Sequence, residues 1–122
     1  MDFSFSPEDQ AFRKEVRAFL AEELGDREIQ RGGSIDAWKT YRQFIQKLAS
    51  RGWLTLAWPK EWGGEGASHI KQLVYNEEMA LAAAPSTDLG SDRVGPTIML
   101  YGTEEQKAKF LPPIVKGEAV WC

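Results

Sequence analysis

The sequence has few of the residues that form disulfides and metal sites. Its 122 residues include one cysteine, Cys122, and one histidine, His69. A single cysteine excludes a disulfide within this chain, which fits a reducing compartment. One histidine and one cysteine far apart in the sequence do not make a metal-ligating cluster, so we expect no metal site.

Long apolar runs and an excess of one charge are also missing. The longest apolar run, Met79 to Pro85, is far below the about 20 residues that span a bilayer. No basic and apolar signal segment opens the sequence. The net charge is −3 and basic residues are spread along the chain, which gives no reason to expect binding to nucleic acid. We expect a cytoplasmic protein with no membrane span.

What the sequence does contain is material for one apolar core. Apolar residues make up 43% of it, with five tryptophans and six phenylalanines. A domain of this length buries roughly two-thirds of the surface of its unfolded chain. We therefore expect a single domain.

Capping residues and apolar periodicity predict two helices in the first half of the chain. Ser6, followed by proline, begins the first helix, and Gly25 ends it. After a polar connector over residues 26–33, Ser34 begins the second helix and Gly52 ends it. In both helices apolar side chains recur at intervals of three and four residues, which places them on one face.

Three further helices are predicted in the second half. The third begins after Ser68 and runs to about Ala84, and residues 85–95 follow it as a connector rich in turn residues. A short buried helix is expected over residues 97–101. The last helix opens with a capping box at residues 103–106 and runs through Phe110, with at most one further turn because prolines follow.

Residues 53–66, named the Trp loop here, contain three tryptophans, a proline and three glycines. Proline and glycine exclude a continuous helix, and large aromatic side chains favour burial, so we expect an irregular loop packed on the core. Its glycines at 63, 64 and 66 could cradle a phosphate. The spacing differs from G-x-G-x-x-G and Glu65 would repel phosphate, so left-handed turn geometry is favoured.

The last four residues, 119–122, favour β-structure but have no partner strand in the sequence. Unpaired strands are unstable in water, so we expect the chain to be interrupted there, with a frayed tail as the alternative. The sequence thus predicts an all-α, orthogonal helical domain of about five to six helices over residues 1–118 with an unpaired, β-leaning tail.

No catalytic constellation emerges from the residues alone. Glu77 and Glu78 are adjacent and point about 100° apart on a helix, so they are not expected to share a ligand. His69 has no acidic or thiol neighbour in the sequence and is expected to lie at the surface or to cap a helix. Residue chemistry indicates a helical domain of a larger protein.

The order of several short motifs carries the interpretation further. They are Ser6-Pro7-Glu8-Asp9-Gln10, Gly52-Trp53-Leu54, Trp58-Pro59-Lys60-Glu61-Trp62-Gly63-Gly64-Glu65-Gly66-Ala67-Ser68, Glu77-Glu78-Met79-Ala80, Gly95-Pro96, Tyr101-Gly102-Thr103-Glu104-Glu105-Gln106-Lys107, Phe110-Leu111-Pro112, Gly117-Glu118 and Trp121-Cys122. Together, and across essentially the whole chain, they resemble the amino-terminal domain of acyl-CoA dehydrogenases.

The resemblance implies a parent flavoprotein that converts an acyl-CoA thioester to a trans-2-enoyl-CoA. Its cofactor would be FAD, it would pass electrons to an electron-transfer acceptor, and it would form homo- or hetero-oligomers. The catalytic glutamate lies in the carboxy-terminal half of family members, so no catalytic residue is expected here. Trp121 and Cys122 resemble the start of the middle β-domain, at residues 119–122, and are the candidate cofactor-binding residues.

The resemblance also implies a wall of the acyl cavity. In family members the connector after the third helix and the helix that starts at Gly-Pro border this cavity. In this sequence the corresponding candidates are Asp88, Leu89, Asp92 and Pro96. The alternative is that Asp88 and Asp92 only cap turns.

Three hypotheses follow. The leading one is an amino-terminal piece of an acyl-CoA dehydrogenase that is inactive in isolation. A second is a naturally short helical interaction module that pairs with a separate flavin-bearing subunit. A third is an unrelated nucleotide-binding domain that uses the glycines of the Trp loop.

Overall fold

The computed structural model describes residues 4–29 and 33–122 and contains no strand in those two ranges. Its helices are α1 (Pro7–Glu23), α2 (Ile35–Ser50), α3 (His69–Leu81), α4 (Gly95–Tyr101) and α5 (Glu104–Val115). A 3-10 turn covers Lys60–Trp62, and a π-helical turn covers Gly90–Val94. Within the described ranges, the predicted all-α class with five α-helices is confirmed. Residues 30–32 of the predicted polar connector lie outside the described residues.

The predicted capping residues define the starts of four helices. The side chains of Ser6, Ser34 and Ser68 each accept a hydrogen bond from a backbone N–H in the first turn of α1, α2 and α3. Thr103 and Gln106 form the predicted capping box of α5. These bonds satisfy N–H groups that a helix start leaves without partners, which is why the boundaries could be predicted.

The apolar side chains form two buried clusters rather than one. The first cluster lies among α1, α2, α3 and the start of the Trp loop, and includes Trp53. The second is centred on Trp58, Leu111 and Ile114 and is extended by partly buried side chains of α4 and the tail. The Trp loop therefore joins the two clusters, since one of its tryptophans lies in each.

Helix α3 ends earlier than predicted, at Leu81 rather than about Ala84. Ala83 has a φ of 52°, a left-handed conformation uncommon for a residue with a side chain. The residue before a proline is disfavoured in the helical conformation, so Pro85 limits how far α3 can extend. The chain leaves the helix in a tight turn closed by the bond from the Ala84 N–H to the Met79 carbonyl.

The connector and α4 differ from the prediction in two ways. The second half of the expected turn-rich connector is helical, because the π-helical turn Gly90–Val94 leads directly into α4. Helix α4 is also not the buried helix that was predicted, since Leu100 and Tyr101 are 75% and 84% exposed. It packs on α5 and the π-helical turn, and its apolar residues at the carboxy-terminal end point away from both clusters.

The tail has no strand partner among the described residues, as predicted, but it is not frayed. Trp121 packs edge-on against Phe110, with ring centroids 5.9 Å apart. Ala119 and Trp121 both contact the second cluster. In the described parts of the chain, no helix combines the length and the apolar character needed to span a bilayer.

Trp53 provides a test of how the Trp loop is packed. It is 4% exposed, and its ring contacts the rings of Phe12, Phe19 and Tyr75. Replacing Trp53 with alanine leaves a large cavity, so we expect the free energy of unfolding to fall by about 3–5 kcal/mol in chemical denaturation. Trp38, which is 40% exposed, is the control, and W38A should lower the free energy of unfolding by clearly less. Equal losses, or a loss below about 1 kcal/mol for W53A, would contradict this packing.

Candidate functional site

The connector after α3 is fixed by a reciprocal pair of hydrogen bonds. The Ser91 N–H donates to the Asp88 carboxylate at 2.8 Å, and the Asp88 N–H donates to the Ser91 hydroxyl oxygen at 3.1 Å. Arg42 of α2 lies 3.8 Å from the same carboxylate and donates to the Gly117 carbonyl. Asp88 thus caps the π-helical turn, which is the alternative role considered for it, and it also joins the connector to α2.

Two aromatic side chains hold the connector from the other side. The Trp58 indole N–H donates to the Ser91 carbonyl at 2.9 Å, and the Tyr75 hydroxyl donates to the Ser86 carbonyl at 2.8 Å. Burial raises the pKa of Tyr75, so this hydroxyl stays protonated and remains a donor. Gly95, at the start of α4, lies so close to the Trp58 ring that a Cβ atom there would overlap it.

Two of the four predicted wall residues, Asp92 and Pro96, border one cavity. This cavity, named the Trp-loop cavity here, has a volume of about 250 Å³. Residues 53–58 of the Trp loop, the connector and one side of α3 line the rest of it. Asp92 is exposed and pairs with Arg93 at 3.7 Å, so it stands at the rim.

The other two wall residues, Asp88 and Leu89, border a second cavity of about 170 Å³, named the tail cavity here. Trp121 and α2 side chains line it as well. A surface depression of about 290 Å³ also brings Asp88, Leu89 and Asp92 together. The structure therefore places Asp88, Leu89 and Asp92 on the connector and Pro96 beside it in α4, between the two cavities.

Of the two candidate cofactor residues, Trp121 has a distinct environment and Cys122 does not. The Trp121 indole nitrogen is buried without a hydrogen-bond partner among the described residues. Buried N–H groups are nearly always paired, so this nitrogen is an exception in the described part of the chain. Cys122 is a free, exposed thiol. In the described part of the chain, these two residues do not form a cradle for a cofactor.

The glycines of the Trp loop do not form a phosphate cradle. Gly63 and Gly66 have φ values of 91° and 57°, which confirms the predicted left-handed turn geometry. The N–H groups of Gly63, Gly64 and Gly66 donate to the backbone carbonyls of Lys60, Pro59 and Trp58. Because these donors are used within the loop, they are not free to converge on an anion.

The adjacent carboxylates of α3 form an ion network with α1. Arg13 donates to Glu78 at 2.6 Å and to Glu77 at 2.9 Å, and Arg17 donates to the second oxygen of Glu78 at 2.8 Å. One forked guanidinium therefore reaches both glutamates although they are adjacent on α3, in an ion pair between helices rather than a shared bound ligand. The bonds from Arg17 and Arg13 lower the pKa of Glu78. A carboxylate with both oxygens engaged is a structural group and a poor proton acceptor.

The described residues contain no cluster of three or more His, Cys, Asp or Glu side chains that could hold a metal ion. His69 is exposed at the first position of α3. The chemistry available in this part of the chain is therefore binding and positioning by aromatic, hydroxyl and carboxylate groups.

Comparison with known proteins identifies the family. The profile of the acyl-CoA dehydrogenase N-terminal domain matches residues 6–118. The chain belongs to the acyl-CoA dehydrogenase family. The resemblance drawn from the order of motifs is confirmed.

Among its relatives is the acyl-CoA dehydrogenase FadE26 of Mycobacterium tuberculosis, 38% identical over 97% of this chain and 30% of that protein. The crystal structure of the ChsE4-ChsE5 complex from Mycobacterium tuberculosis matches with a TM-score of 0.79 and 38% identity, over 97% of this chain and 30% of that one. The structure of the Tcur3481-Tcur3483 steroid ACAD matches with a TM-score of 0.77 and 36% identity, over 98% of this chain and 32% of that one. This acyl-CoA dehydrogenase domain thus spans about 30% of the length of each of these three relatives.

Three residues of the connector region were not predicted from the sequence. Ser91 could have been found, because Asp88 and Ser91 have the spacing of a capping pair. Arg42 gave no signal, since its partner lies far along the chain. Thr55, in the wall of the Trp-loop cavity, is a hydroxyl residue within an apolar and aromatic run, and its environment depends on tertiary packing.

Glu78 gives this acyl-CoA dehydrogenase domain a predictable pH dependence. Its folded-state pKa lies below the ordinary value of 4.5. Its contribution to stability is therefore complete above that value and is lost as the pH falls through the folded-state pKa. We expect E78Q to lower the free energy of unfolding at neutral pH by about 1–3 kcal/mol, with the difference from wild type shrinking in acid.

The control for E78Q is E77Q, because Glu77 is largely exposed and makes one of the three contacts. An exposed ion pair contributes about 1 kcal/mol or less, so E77Q should have the smaller effect. Denaturation measured across a pH series checks both variants. If the free energies of unfolding of E78Q and wild type differed by the same amount at every pH, the proposed pH dependence of the Glu78 contribution would be contradicted.

Proposed function

We propose that this chain is the helical amino-terminal domain of an FAD-dependent acyl-CoA dehydrogenase, which oxidises an acyl-CoA thioester to a trans-2-enoyl-CoA. The observation that carries the proposal is the match to the family profile over residues 6–118. A relative named acyl-CoA dehydrogenase that is 38% identical supports it. FAD, when bound to the parent enzyme, would supply the acceptor for the hydride that leaves the substrate's β-carbon.

The contribution of this chain is a wall of the acyl cavity. Asp88, Leu89, Asp92 and Pro96 lie on or beside a connector that borders the Trp-loop cavity, the tail cavity and the surface depression. Three elements hold that connector in place through Arg42, Trp58 and Tyr75. A wall fixed in this way can select acyl groups by shape without taking part in proton transfer.

The residues that would approach the flavin are Trp121 and Cys122. The Trp121 ring is held by its packing on Phe110 and borders the tail cavity, and the Cys122 thiol beside it is exposed. The proton acceptor for the substrate's α-carbon comes from another part of the enzyme, because Glu78, the buried carboxylate among the described residues, is engaged by two arginines. Activity therefore requires the remaining domains of the enzyme.

Exposed apolar residues support association with further protein. Leu81, Leu100 and Tyr101 are large side chains that lie mostly in solvent. The ChsE4-ChsE5 structure is a complex, and we propose that the parent enzyme is likewise a homo- or hetero-oligomer that passes electrons to an acceptor. The exposed residues equally suit a second candidate, a short helical module that pairs with a separate flavin-bearing subunit. The reading frame beyond Cys122 distinguishes the two candidates.

Enlarging Leu89 tests the wall. Leu89 is partly exposed, so a tryptophan can be placed there without disturbing either buried cluster. We expect L89W in the full enzyme to shift the acyl preference toward shorter chains by about 10–200-fold in kcat/KM per methylene excluded. The flavin should remain reducible, since no proton acceptor is touched. L81W, at an exposed position of α3, is the matched control, and unchanged selectivity in L89W would place the connector outside the cavity.

The isolated chain should neither bind FAD stoichiometrically nor oxidise acyl-CoA. A flavin, a base at the α-carbon and an acyl cavity must meet in one place, and this chain supplies part of the third. The test is to add excess FAD to residues 1–122, remove the unbound FAD and look for a yellow chromophore that acyl-CoA bleaches. We expect none from the isolated chain and bleaching from a protein that extends through the other domains. Bleaching by the isolated chain would overturn the proposal.

A further inference from the structure

Arg42 is a mostly buried cation that contacts two segments outside its own helix. Its side chain is 15% exposed, and one terminal guanidinium nitrogen donates to the Gly117 carbonyl at 2.6 Å. The other terminal nitrogen lies 3.8 Å from the carboxylate of Asp88, which is 11% exposed. A planar guanidinium can reach two acceptors at once in a fixed geometry. Arg42 therefore links α2 both to the connector and to the turn that leads into the tail.

The three segments that meet at Arg42 also approach each other closely. A Cβ atom at Gly90 of the connector would lie 2.9 Å from the Trp121 ring, and one at Gly117 would lie 3.2 Å from the Ala49 side chain of α2. Packed protein interiors have low compressibility, so a displacement of one segment is transmitted to its neighbours. The position of the connector thus depends on α2 and on the tail together.

Leu89 follows Asp88 directly, and both residues border the tail cavity together with Arg42. Leu89 is 39% exposed, so the packing of its own side chain fixes it only in part. Its position therefore depends on how firmly the neighbouring backbone is held. The carboxylate of Asp88 holds that backbone through the Ser91 N–H within the connector and through the Arg42 guanidinium from α2. Arg42 supplies the part of this hold that comes from another helix.

We propose that Arg42 is a positioning residue for acyl selectivity. By holding Asp88 against α2 and against the turn before the tail, it gives the connector the stiffness with which Leu89 excludes longer acyl groups. This inference rests on the proposed function and adds to it the residue that keeps the wall rigid. A pocket discriminates between acyl groups by volume only if its wall does not give way, because a wall that moves aside admits the larger group. Arg42 does not itself have to contact the substrate.

The test is a double-mutant cycle between Arg42 and Leu89 in the full flavin-loaded enzyme. L89W enlarges the wall, and R42M removes the guanidinium but keeps a long, unbranched side chain. The readout is kcat/KM for the saturated acyl-CoA two carbons shorter than the best wild-type substrate, divided by kcat/KM for that best substrate. Both values come from one preparation, so a loss of folded protein lowers both and leaves the ratio unchanged.

We expect L89W to raise this ratio, and we expect its effect to be about ten-fold smaller when R42M is also present. Without Arg42 the connector can yield to the tryptophan, so the two substitutions are not additive. A ten-fold coupling corresponds to about 1.4 kcal/mol, which is of the size found between residues that share one network.

Two further variants separate the role of Arg42 from a general loss of stability. R27M removes a guanidinium that donates to the Glu23 and Leu24 carbonyls at the end of α1, so the effect of L89W should be unchanged beside it. R42K serves if R42M does not fold. Its single ammonium group cannot reproduce the planar two-point contact, so the effect of L89W should again be reduced.

An equal effect of L89W in the presence and absence of R42M, or of R42K if R42M does not fold, would overturn the inference and leave the proposed function intact. That outcome together with a lower melting temperature would mean that Arg42 only stabilises the fold. A loss of the L89W effect beside R27M as large as beside R42M would also overturn the inference, because general destabilisation would explain both. If the wild-type enzyme oxidised no acyl-CoA, or if L89W alone left the ratio unchanged, the proposed function or its wall would fail and the inference with it.

Discussion

Trp58 donates its indole N–H to the carbonyl oxygen of Ser91, 2.9 Å away, in a buried contact between the Trp loop and the connector. The same ring forms the centre of the second apolar cluster, while Trp53 lies in the first. Two aromatic side chains on one short loop therefore join the two cores. This junction, together with the bond from Arg42 of α2 to the Gly117 carbonyl, fixes α4, α5 and the tail against the first three helices.

The hydrogen bond from Trp58 to Ser91 also positions the connector. Before the π-helical turn, the connector has little regular structure of its own. Asp88 and Ser91 close the turn, and Arg42 ties it to α2 and to the Gly117 carbonyl. Glu78 and its two arginines hold α1 against α3. The candidate wall is thus a segment held at several points by side chains that do not themselves have to contact a substrate.

Local signals made much of this domain predictable. Ser6, Ser34, Ser68 and Thr103 bond within their own helices, so the sequence nearby was sufficient to find the helix starts. The π-helical turn and the exposed face of α4 were missed, because both depend on contacts between distant segments. The contacts of Arg42 with the connector were missed for the same reason, while the predicted wall residues came from resemblance and their role is still a prediction.

Gly95 is a position at which a single added methyl group would change the shape of the Trp-loop cavity. A Cβ atom at this position would overlap the Trp58 ring, and a buried aromatic ring that also makes a hydrogen bond has little freedom to move aside. One additional methyl group would therefore push the start of α4, and Pro96 with it, away from the Trp loop. For enzyme engineering, Gly95 is accordingly a position from which the cavity could be reshaped by moving a helix, without replacing any residue of its lining.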